Sequence, residues 1–400
     1  MKNRNKKNAF NEKKIILSAH ESVRWTGPVY DFLKFFFEKG TSSVLLIEHP
    51  LLFLKETYVN SSYCENYKNA KLYRKYTAYH WKLPEAFLYI KDLIYTIVWP
   101  FYTKDSYDLF IGFNPLNAFA GIVLKKLGKV KKVVYYTIDY FTKRFENKLL
   151  NKMYHSIDKF CVYHADETWN ISSTMVTARK NYNNMPIDIY NRQHTVPSGV
   201  WLKKIHRKTY NQINKKKIIF IGTLVTIMGV DLLLKSMPKI IKKIPDVKLE
   251  VIGGGPEEEN LILLAKKLSL MKHITFHGWI KDNNEKWRIL SDAAIGIAPF
   301  NTNLFREEVK NADPAKIKEY LAMGVPVIAT DAVSKNIEKA KCGLIVPFKV
   351  NDLASAIISL LPDNKRLMQY RKNAIKYMKK FDFEDIALIN LKRILSQNNI

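Results

Sequence analysis

The sequence predicts an α/β protein of two doubly wound, Rossmann-like domains that face a central cleft. Between residues 217 and 361, short apolar runs alternate with helical segments, which is the pattern of βα units around a parallel sheet. Residues 14–196 repeat this pattern less regularly, and a polar, basic segment at 201–215 separates the two halves. A chain of 400 residues, 47% of them hydrophobic, is long enough to fill two cores.

The C-terminal half has the clearer elements, and glycine closes most of its strands. The predicted strands are 218–221, 248–252, 273–276, 293–298, 325–329 and 343–347. The predicted helices are 231–244, 256–268, a segment carrying Lys316 and Glu319, and 352–361. Proline in first position and glutamates in the opening turn mark the start of the helix at 256–268.

The N-terminal half contains the same kinds of element in a looser order. Its predicted strands are 14–17, 43–47, 109–113 and 132–136, and the segment 189–196 closes the domain. Its predicted helices are one that follows a loop through Gly27-Pro28 and runs to Glu38, and one over 115–127. This alternation again indicates a mainly parallel sheet.

An insertion at about residues 65–105 interleaves aromatic and basic residues. It includes an apolar helix predicted over 86–99, whose charged Lys91 and Asp92 argue against a membrane span. Two interpretations remain open. The segment lies on a membrane with its Trp and Tyr rings at headgroup level, or it packs into the first domain as a helix.

The formal net charge of +28 favours anionic partners, such as nucleotides or an anionic membrane surface, although a lysine-rich compositional bias explains it equally well. Three widely spaced cysteines have neither metal-ligand spacing nor the even count of a disulfide framework, so we expect a reducing compartment. The apolar run after the basic start is too short for a signal peptide. We therefore expect a cytoplasmic protein, with peripheral attachment at the inner face of the cell membrane as an option.

In open α/β sheets, ligands bind beyond the carboxyl ends of the strands, where glycine lets the backbone approach a phosphate closely. The candidate donor-binding residues at these ends are Gly222, Thr223, Gly254, Gly278 and Trp279. Lys316 and Glu319 are three residues apart on a predicted helix and share one face. Together they can hold a phosphate and a sugar hydroxyl, so the pattern indicates a nucleotide-linked substrate.

Residues 217–361 resemble the C-terminal domain of family 4 glycosyltransferases, which have the GT-B fold. The most specific part of the resemblance is Glu-Tyr-Leu-Ala-Met-Gly-Val-Pro-Val at 319–327. It implies that Glu319 binds the ribose hydroxyls of a nucleotide-sugar donor and that Gly278 and Trp279 lie by its base. It also implies retention of anomeric configuration, no metal at the diphosphate and no cofactor. In the N-terminal half, Gly27 matches a glycine loop on the acceptor side.

Three positions depart from the family pattern. Thr223 and Met228 stand where the family has an arginine and a lysine that bind the donor pyrophosphate, and Asn311 replaces a second glutamate. Some relatives instead keep Pro-x-Lys-x-x-Glu, which is present here from Pro314 to Glu319. We therefore assign the phosphate role to Lys316, with an unliganded lysine on the helix surface as the alternative.

The acceptor side is assigned to the first domain. His20 follows the first predicted strand and Asp139 follows the strand at 132–136, so both are expected at carboxyl ends facing the cleft. We predict that both belong to the catalytic group with Lys316, and that Asp139 contacts sugar or acceptor. Ile138 replaces the histidine that many relatives carry beside this aspartate. The alternatives are a helix cap for Asp139 and a structural histidine for His20.

These interpretations define an acceptor-binding domain at 1–205, a nucleotide-sugar-binding domain at 206–380 and a C-terminal helix at 381–400 that returns to the first domain. The expected function is transfer of a hexose, with retention, from a nucleoside diphosphate sugar to a polysaccharide or lipid-linked glycan. One rival is a GT-B-fold binding or scaffold protein with a decayed donor site. The other is a nucleic-acid-binding protein, which lacks a recognised reader motif, so no nucleic acid partner is expected.

Overall fold

The structure is a computed structural model, and it describes residues 10–21, 27–51, 61–79, 81, 83–145, 147–183, 185, 189, 192–280, 282–304, 314–331 and 335–396. The chain divides into two compact units: a first unit of residues 1–198 and 384–400, and a second unit of residues 199–383. The basic segment predicted as a linker belongs to the second unit, because Ile205 and Ile213 are buried in that unit's hydrophobic clusters.

The first unit is built on a mixed sheet of eight strands, all of which lie in the first half of the chain. Its strands are β1 (Lys14–Glu21), β2 (Ser43–Pro50), β3 (Ser61–Lys68), β4 (Lys71–Tyr79), β5 (Tyr107–Phe113), β6 (Val130–Thr137), β7 (Glu167–Asn170) and β8 (Gln193–Thr195). Its helices up to this point are α1 (Pro28–Glu38), α2 (Glu85–Val98), α3 (Pro115–Lys126), α4 (Lys148–His164) and α5 (Ser173–Asn183). The strand order is β4-β3-β2-β1-β5-β6-β7-β8.

The insertion contains a β-hairpin that the sequence did not predict. β3 and β4 pair antiparallel with each other, and β3 pairs antiparallel with β2, while the other strands of this sheet pair parallel. β4 is an edge strand whose residues are nearly all exposed, so it lacks the alternation of apolar and polar residues that marks a half-buried strand. The helix predicted over 86–99 is present as α2.

The second unit has the regular alternation that the sequence predicted. Its elements in chain order are β9 (Asn214–Ile221), α6 (Val230–Lys243), β10 (Lys248–Ile252), α7 (Glu258–Lys267), β11 (Ile274–Phe276), α8 (Asn283–Ser291), β12 (Ala293–Ala298), α9 (Ala315–Ala322), β13 (Val327–Thr330), α10 (Asn336–Lys339), β14 (Gly343–Val346), α11 (Val350–Leu360) and α12 (Asn364–Met378). The strand order is β11-β10-β9-β12-β13-β14, and all neighbouring strands are parallel. Successive strands are added on one side of β9 up to β11 and on its other side from β12 onward, so the strand order reverses between β9 and β12. A reversal of this kind is where doubly wound sheets bind ligands.

A last helix, α13 (Phe383–Ser396), packs against the first unit. The Arg393 guanidinium donates to both carboxylate oxygens of Glu167, at 2.9 and 2.7 Å, and Lys132 Nζ donates to the carbonyl of Ile394 at 2.9 Å. No helix in the described part of the chain is long and apolar enough to cross a membrane.

Candidate active site

Lys316 lies at the reversal point of the second sheet, on the first turn of α9. Its Nζ is 3.1 Å from the Met228 sulfur, 4.4 Å from the centre of the Phe220 ring and 5.0 Å from that of Phe300. A Cβ atom at Gly222 would be only 2.7 Å from Nζ, so the ammonium rests against the bare backbone at the end of β9. The sequence-predicted pair Lys316 and Gly222 is therefore in direct contact.

The surroundings of Lys316 are apolar, and this changes its titration. Burial lowers the pKa of Lys316 from 10.5 to about 7, against the smaller opposite effect of Glu319. Within the described residues, the Lys316 ammonium has no carboxylate partner at salt-bridge distance. The two aromatic rings offset part of the cost of burying the cation. A cation held in this way favours an anionic ligand.

Helix α9 is fixed to the sheet by Tyr320. The buried Tyr320 hydroxyl accepts a hydrogen bond from the Ile221 N–H at 2.7 Å and donates to the Ile297 carbonyl at 3.3 Å. Gly296 makes room for the ring, since a Cβ there would lie 2.6 Å from it. These contacts tie α9 to β9 and β12 together and so determine where Lys316 lies.

Glu319, one turn after Lys316, has an unpredicted partner. Its Oε2 lies 3.0 Å from Nζ of Lys286 on α8. The contact falls outside hydrogen-bond geometry, and Oε2 accepts no hydrogen bond from the described residues. Glu319 is half-buried, so its carboxylate is positioned by a lysine and keeps acceptor capacity for a hydroxyl group.

The glycine turns pack against one another at the carboxyl ends of β9 and β10. Gly253 has φ 139°, and a Cβ there would lie 1.9 Å from the Gly222 carbonyl oxygen, so no other residue fits. The Gly222 and Gly253 N–H groups donate to the carbonyls of Ile252 and Gly278 at 3.0 and 2.8 Å. These two amides are therefore engaged by carbonyl groups of the second unit and do not point at a ligand.

Glu258 faces two of the predicted donor-binding glycines. A Cβ at Gly254 would lie 3.2 Å from its Oε2, and one at Gly278 would lie 4.0 Å from its Oε1. The neighbouring Trp279 and Thr223 are exposed. In the sequence, Glu258 is one of several glutamates in the first turn of a predicted helix, and no pattern indicated that it lies in the candidate site. Asn311 lies outside the described residues.

In the first unit, His20 lies within β1 rather than after it, and its side chain is buried. Its Nε2 is 3.3 Å from Asp92 Oδ2, and its Nδ1 is 3.0 and 3.2 Å from the side-chain amides of Asn114 and Asn117. Asp92 is fully buried and its Oδ1 also lies 3.2 Å from Nδ1 of His49. Both ring nitrogens of His20 are thus occupied inside the protein.

His49 is the second histidine of this buried network. Burial lowers the pKa of His49 to about 4, although Asp92 acts in the opposite direction. Its Nε2 lies 2.8 Å from the Thr96 hydroxyl and its Nδ1 lies 2.8 Å from that of Ser62. The network joins β1, β2, β3 and α2, and the sequence analysis did not find it.

Asp139, Gly27 and the unpredicted Glu21 lie close together at the carboxyl edge of the first sheet. Asp139 accepts a hydrogen bond from Arg144 Nη1 at 2.8 Å. A Cβ at Gly27 would lie 3.5 Å from Glu21 Oε2. Burial first, and then the nearby Glu48 and Asp139, raise the pKa of Glu21 to about 8. Glu21 therefore keeps its proton near neutral pH, which allows it to donate a hydrogen bond.

Comparison with known proteins gives the class of the second unit. Residues 203–377 match the family described as Glycosyl transferases group 1. Over 164 residues the chain is 29% identical to a GDP-mannose-dependent alpha-(1-6)-phosphatidylinositol monomannoside mannosyltransferase of Mycobacterium tuberculosis (strain CDC 1551 / Oshkosh). The match covers 40% of this chain and 42% of that relative, so the chain spans less than half the length of a protein that it resembles. Residues 203–377 thus resemble a glycosyltransferase group 1 domain, and the match covers less than half of the chain.

Comparison with solved structures extends over nearly the whole chain. Sucrose-phosphate synthase from Thermosynechococcus elongatus matches with a TM-score of 0.66 and 17% identity, covering 95% of this chain and 98% of that one. HepE of Anabaena, solved in complex with UDP, matches with a TM-score of 0.67 and 14% identity, covering 96% and 100%. At this level of identity the likeness concerns the fold, and it confirms that the chain has the GT-B fold with two Rossmann-like domains.

Proposed function

We propose that the protein is a retaining glycosyltransferase that moves a hexose from a nucleoside diphosphate sugar to a polysaccharide or lipid-linked glycan. The observation that carries the proposal is the half-buried Lys316 at the reversal point of the second sheet, whose ammonium rests against Gly222 with no carboxylate partner in the described residues. Burying a cation is costly, and a diphosphate bound beside it would offset that cost.

Each residue that binds the nucleotide-sugar donor has a distinct role in this proposal. Lys316 stabilises the negative charge that develops on the departing diphosphate, in place of the basic groups missing at Thr223 and Met228. Glu319 accepts from the ribose hydroxyls, and Lys286 holds its carboxylate in position. The Gly254 and Gly278 turns, with Glu258 and Trp279, bind the nucleoside. No cofactor is needed beyond the donor itself.

The acceptor groups are assigned to the first unit. Glu21, which keeps its proton near neutral pH, and Asp139 bind acceptor hydroxyls beside Gly27. Because both nitrogens of His20 are occupied, His20 acts as a positioning residue for the end of β1. A lipid-linked acceptor would be met at the inner face of the cell membrane, so the proposal includes a cytoplasmic location.

The proposal is tested by titrating UDP and GDP into the protein and into Lys316→Met, and by screening a panel of nucleotide sugars for donor hydrolysis. Methionine removes the charge at similar length, and we expect about 10- to 100-fold weaker nucleotide binding, the loss of a charged hydrogen bond. Lys235→Met is the control, since Lys235 pairs with Asp231 on the exposed surface of α6.

The rival, a binding or scaffold protein with a decayed donor site, makes a different prediction. If that interpretation is right, neither UDP nor GDP binds at millimolar concentration and no nucleotide sugar is hydrolysed. Equal nucleotide affinity of the protein and Lys316→Met would also contradict the role given to this lysine.

A further inference from the structure

Helix α2 has an inverted distribution of polar and apolar residues. Its buried residues are Leu88, Asp92 and Thr96, which recur at every fourth position and so share the inner face of the helix. The two polar residues are held there by the histidine network, in which Asp92 contacts His20 and His49. An ordinary surface helix buries its apolar stripe and exposes its polar one. Here the buried stripe is largely polar.

The outward face of α2 is apolar. Phe87, Ile90 and Ile94 are 59%, 55% and 53% exposed, and Val98 continues the stripe. At 3.6 residues per turn these four residues lie on the side of the helix opposite the inner face. The stripe extends into a 3₁₀ turn (Trp99–Tyr102) whose Phe101 and Tyr102 are also exposed.

Basic and aromatic groups surround this stripe. Residues 61–104 contain seven Lys or Arg against three Asp or Glu. Lys129 Nζ lies 5.2 Å from the centre of the Phe101 ring, and Tyr102 packs on Tyr76 of β4 at 5.2 Å. Arg74, on the same strand as Tyr76, is exposed. The apolar stripe is therefore continuous with a cationic, aromatic rim.

We infer that this surface, made of Phe87, Ile90, Ile94, Val98, Phe101 and Tyr102 with its basic rim, docks the protein on an anionic lipid bilayer. The apolar side chains enter the acyl boundary, Tyr102 lies at headgroup level, and the basic side chains contact anionic headgroups. With 14 residues, α2 is too short to span a bilayer and lies in its surface. A chain of net charge +28 is attracted to such a surface from solution.

The inference does not depend on transferase activity, and its test contains no sugar donor. The full chain is mixed with vesicles of phosphatidylcholine containing phosphatidylglycerol, or of phosphatidylcholine alone, and the bound fraction is measured by flotation. We expect binding to the anionic vesicles to be at least about tenfold stronger and to weaken as salt is added.

The double variant Ile90→Ser/Ile94→Ser should reduce partition onto the anionic vesicles by about tenfold or more. It leaves the inner face of α2 unchanged, so the fold and nucleotide binding should persist. The control is Leu263→Ser/Ile389→Ser, two residues that are 61% and 65% exposed on α7 and α13, and it should bind like the unaltered chain.

Three outcomes would overturn the inference. The first is no binding to either vesicle, and the second is equal binding by the protein and the Ile90/Ile94 variant. The third is a dimer that binds no vesicle and that the same variant converts to a monomer, because the stripe would then be covered by a second copy.

Discussion

Lys316 makes nucleotide affinity dependent on pH. Because burial lowers its pKa to about 7, the ammonium loses its charge as pH rises through this value. A diphosphate binds the charged form, so UDP affinity should fall about tenfold between pH 7 and about pH 8.5. Isothermal titration calorimetry at several pH values measures this change. Well below pH 7 the ammonium is fully charged and this contribution is fully present.

Lys316→Arg is the matched control for this pH dependence. A guanidinium stays charged throughout, so the variant should show a flat profile from pH 7 upward even if its affinity is lower overall. A parallel decline in both proteins would mean that another group titrates.

Glu21 should make the first unit less stable as the pH rises. Its pKa is raised from 4.5 to about 8, so the folded state holds a proton that the unfolded state releases above pH 4.5. The free energy of unfolding should therefore decrease between pH 5 and pH 8, by roughly 1–3 kcal/mol. In Glu21→Gln this part of the decrease should be absent.

Urea unfolding of both proteins at several pH values measures the difference. Asp231→Asn, on the exposed surface of α6, serves as the control and should keep the pH slope of the unaltered protein. Identical slopes in Glu21→Gln and the unaltered protein would show that Glu21 ionises normally.

At the scale of elements, the buried Tyr320 hydroxyl links α9 to β9 and β12 by hydrogen bonds. Tyr320→Phe leaves the Ile221 N–H without its acceptor in a fully buried position, so we expect a loss of roughly 1–3 kcal/mol in the free energy of unfolding. UDP should also bind more weakly, because α9 carries Lys316. Tyr370→Phe removes a partly exposed hydroxyl bonded to Arg366 on α12 and should change stability by less than about 0.5 kcal/mol.

The sequence predicted the second sheet well because its signals are local. Most strands there contain a short apolar run, and β10 is followed at once by Gly253, whose positive φ the turn requires. Lys316 and Gly222 were also predicted, since carboxyl ends of parallel strands meet at one edge. Their contact with Met228 and the aromatic rings was not, because those side chains meet only after the sheet has formed.

The elements that escaped prediction lack such local signals. β4 is exposed along nearly its whole length, and most residues of α8 and α12 are polar or charged. The His20–Asp92 pair joins residues 72 positions apart, which no spacing rule connects. In α2 the apolar stripe is visible in the sequence, but ordinary amphipathicity would place it inside.

At the scale of the whole molecule, each unit has its own hydrophobic clusters, and the chain returns to the first unit at its end. On α13, Ala387, Leu391 and Ile394 are completely buried, while Arg393 pairs with Glu167. The stability of the first unit therefore depends on residues that follow the entire second unit in sequence.

Leu391→Ala tests this dependence by scanning calorimetry in the presence and absence of UDP. A transition that UDP raises belongs to the second unit, because ligand binding stabilises only the folded form that binds it. The cavity left by Leu391→Ala should lower the other transition, at a cost of about 2–5 kcal/mol, and leave the UDP-sensitive one unchanged. Ile389→Ala, on the exposed side of the same helix, should change neither. If Leu391→Ala instead lowered the UDP-sensitive transition, α13 would be stabilising the second unit.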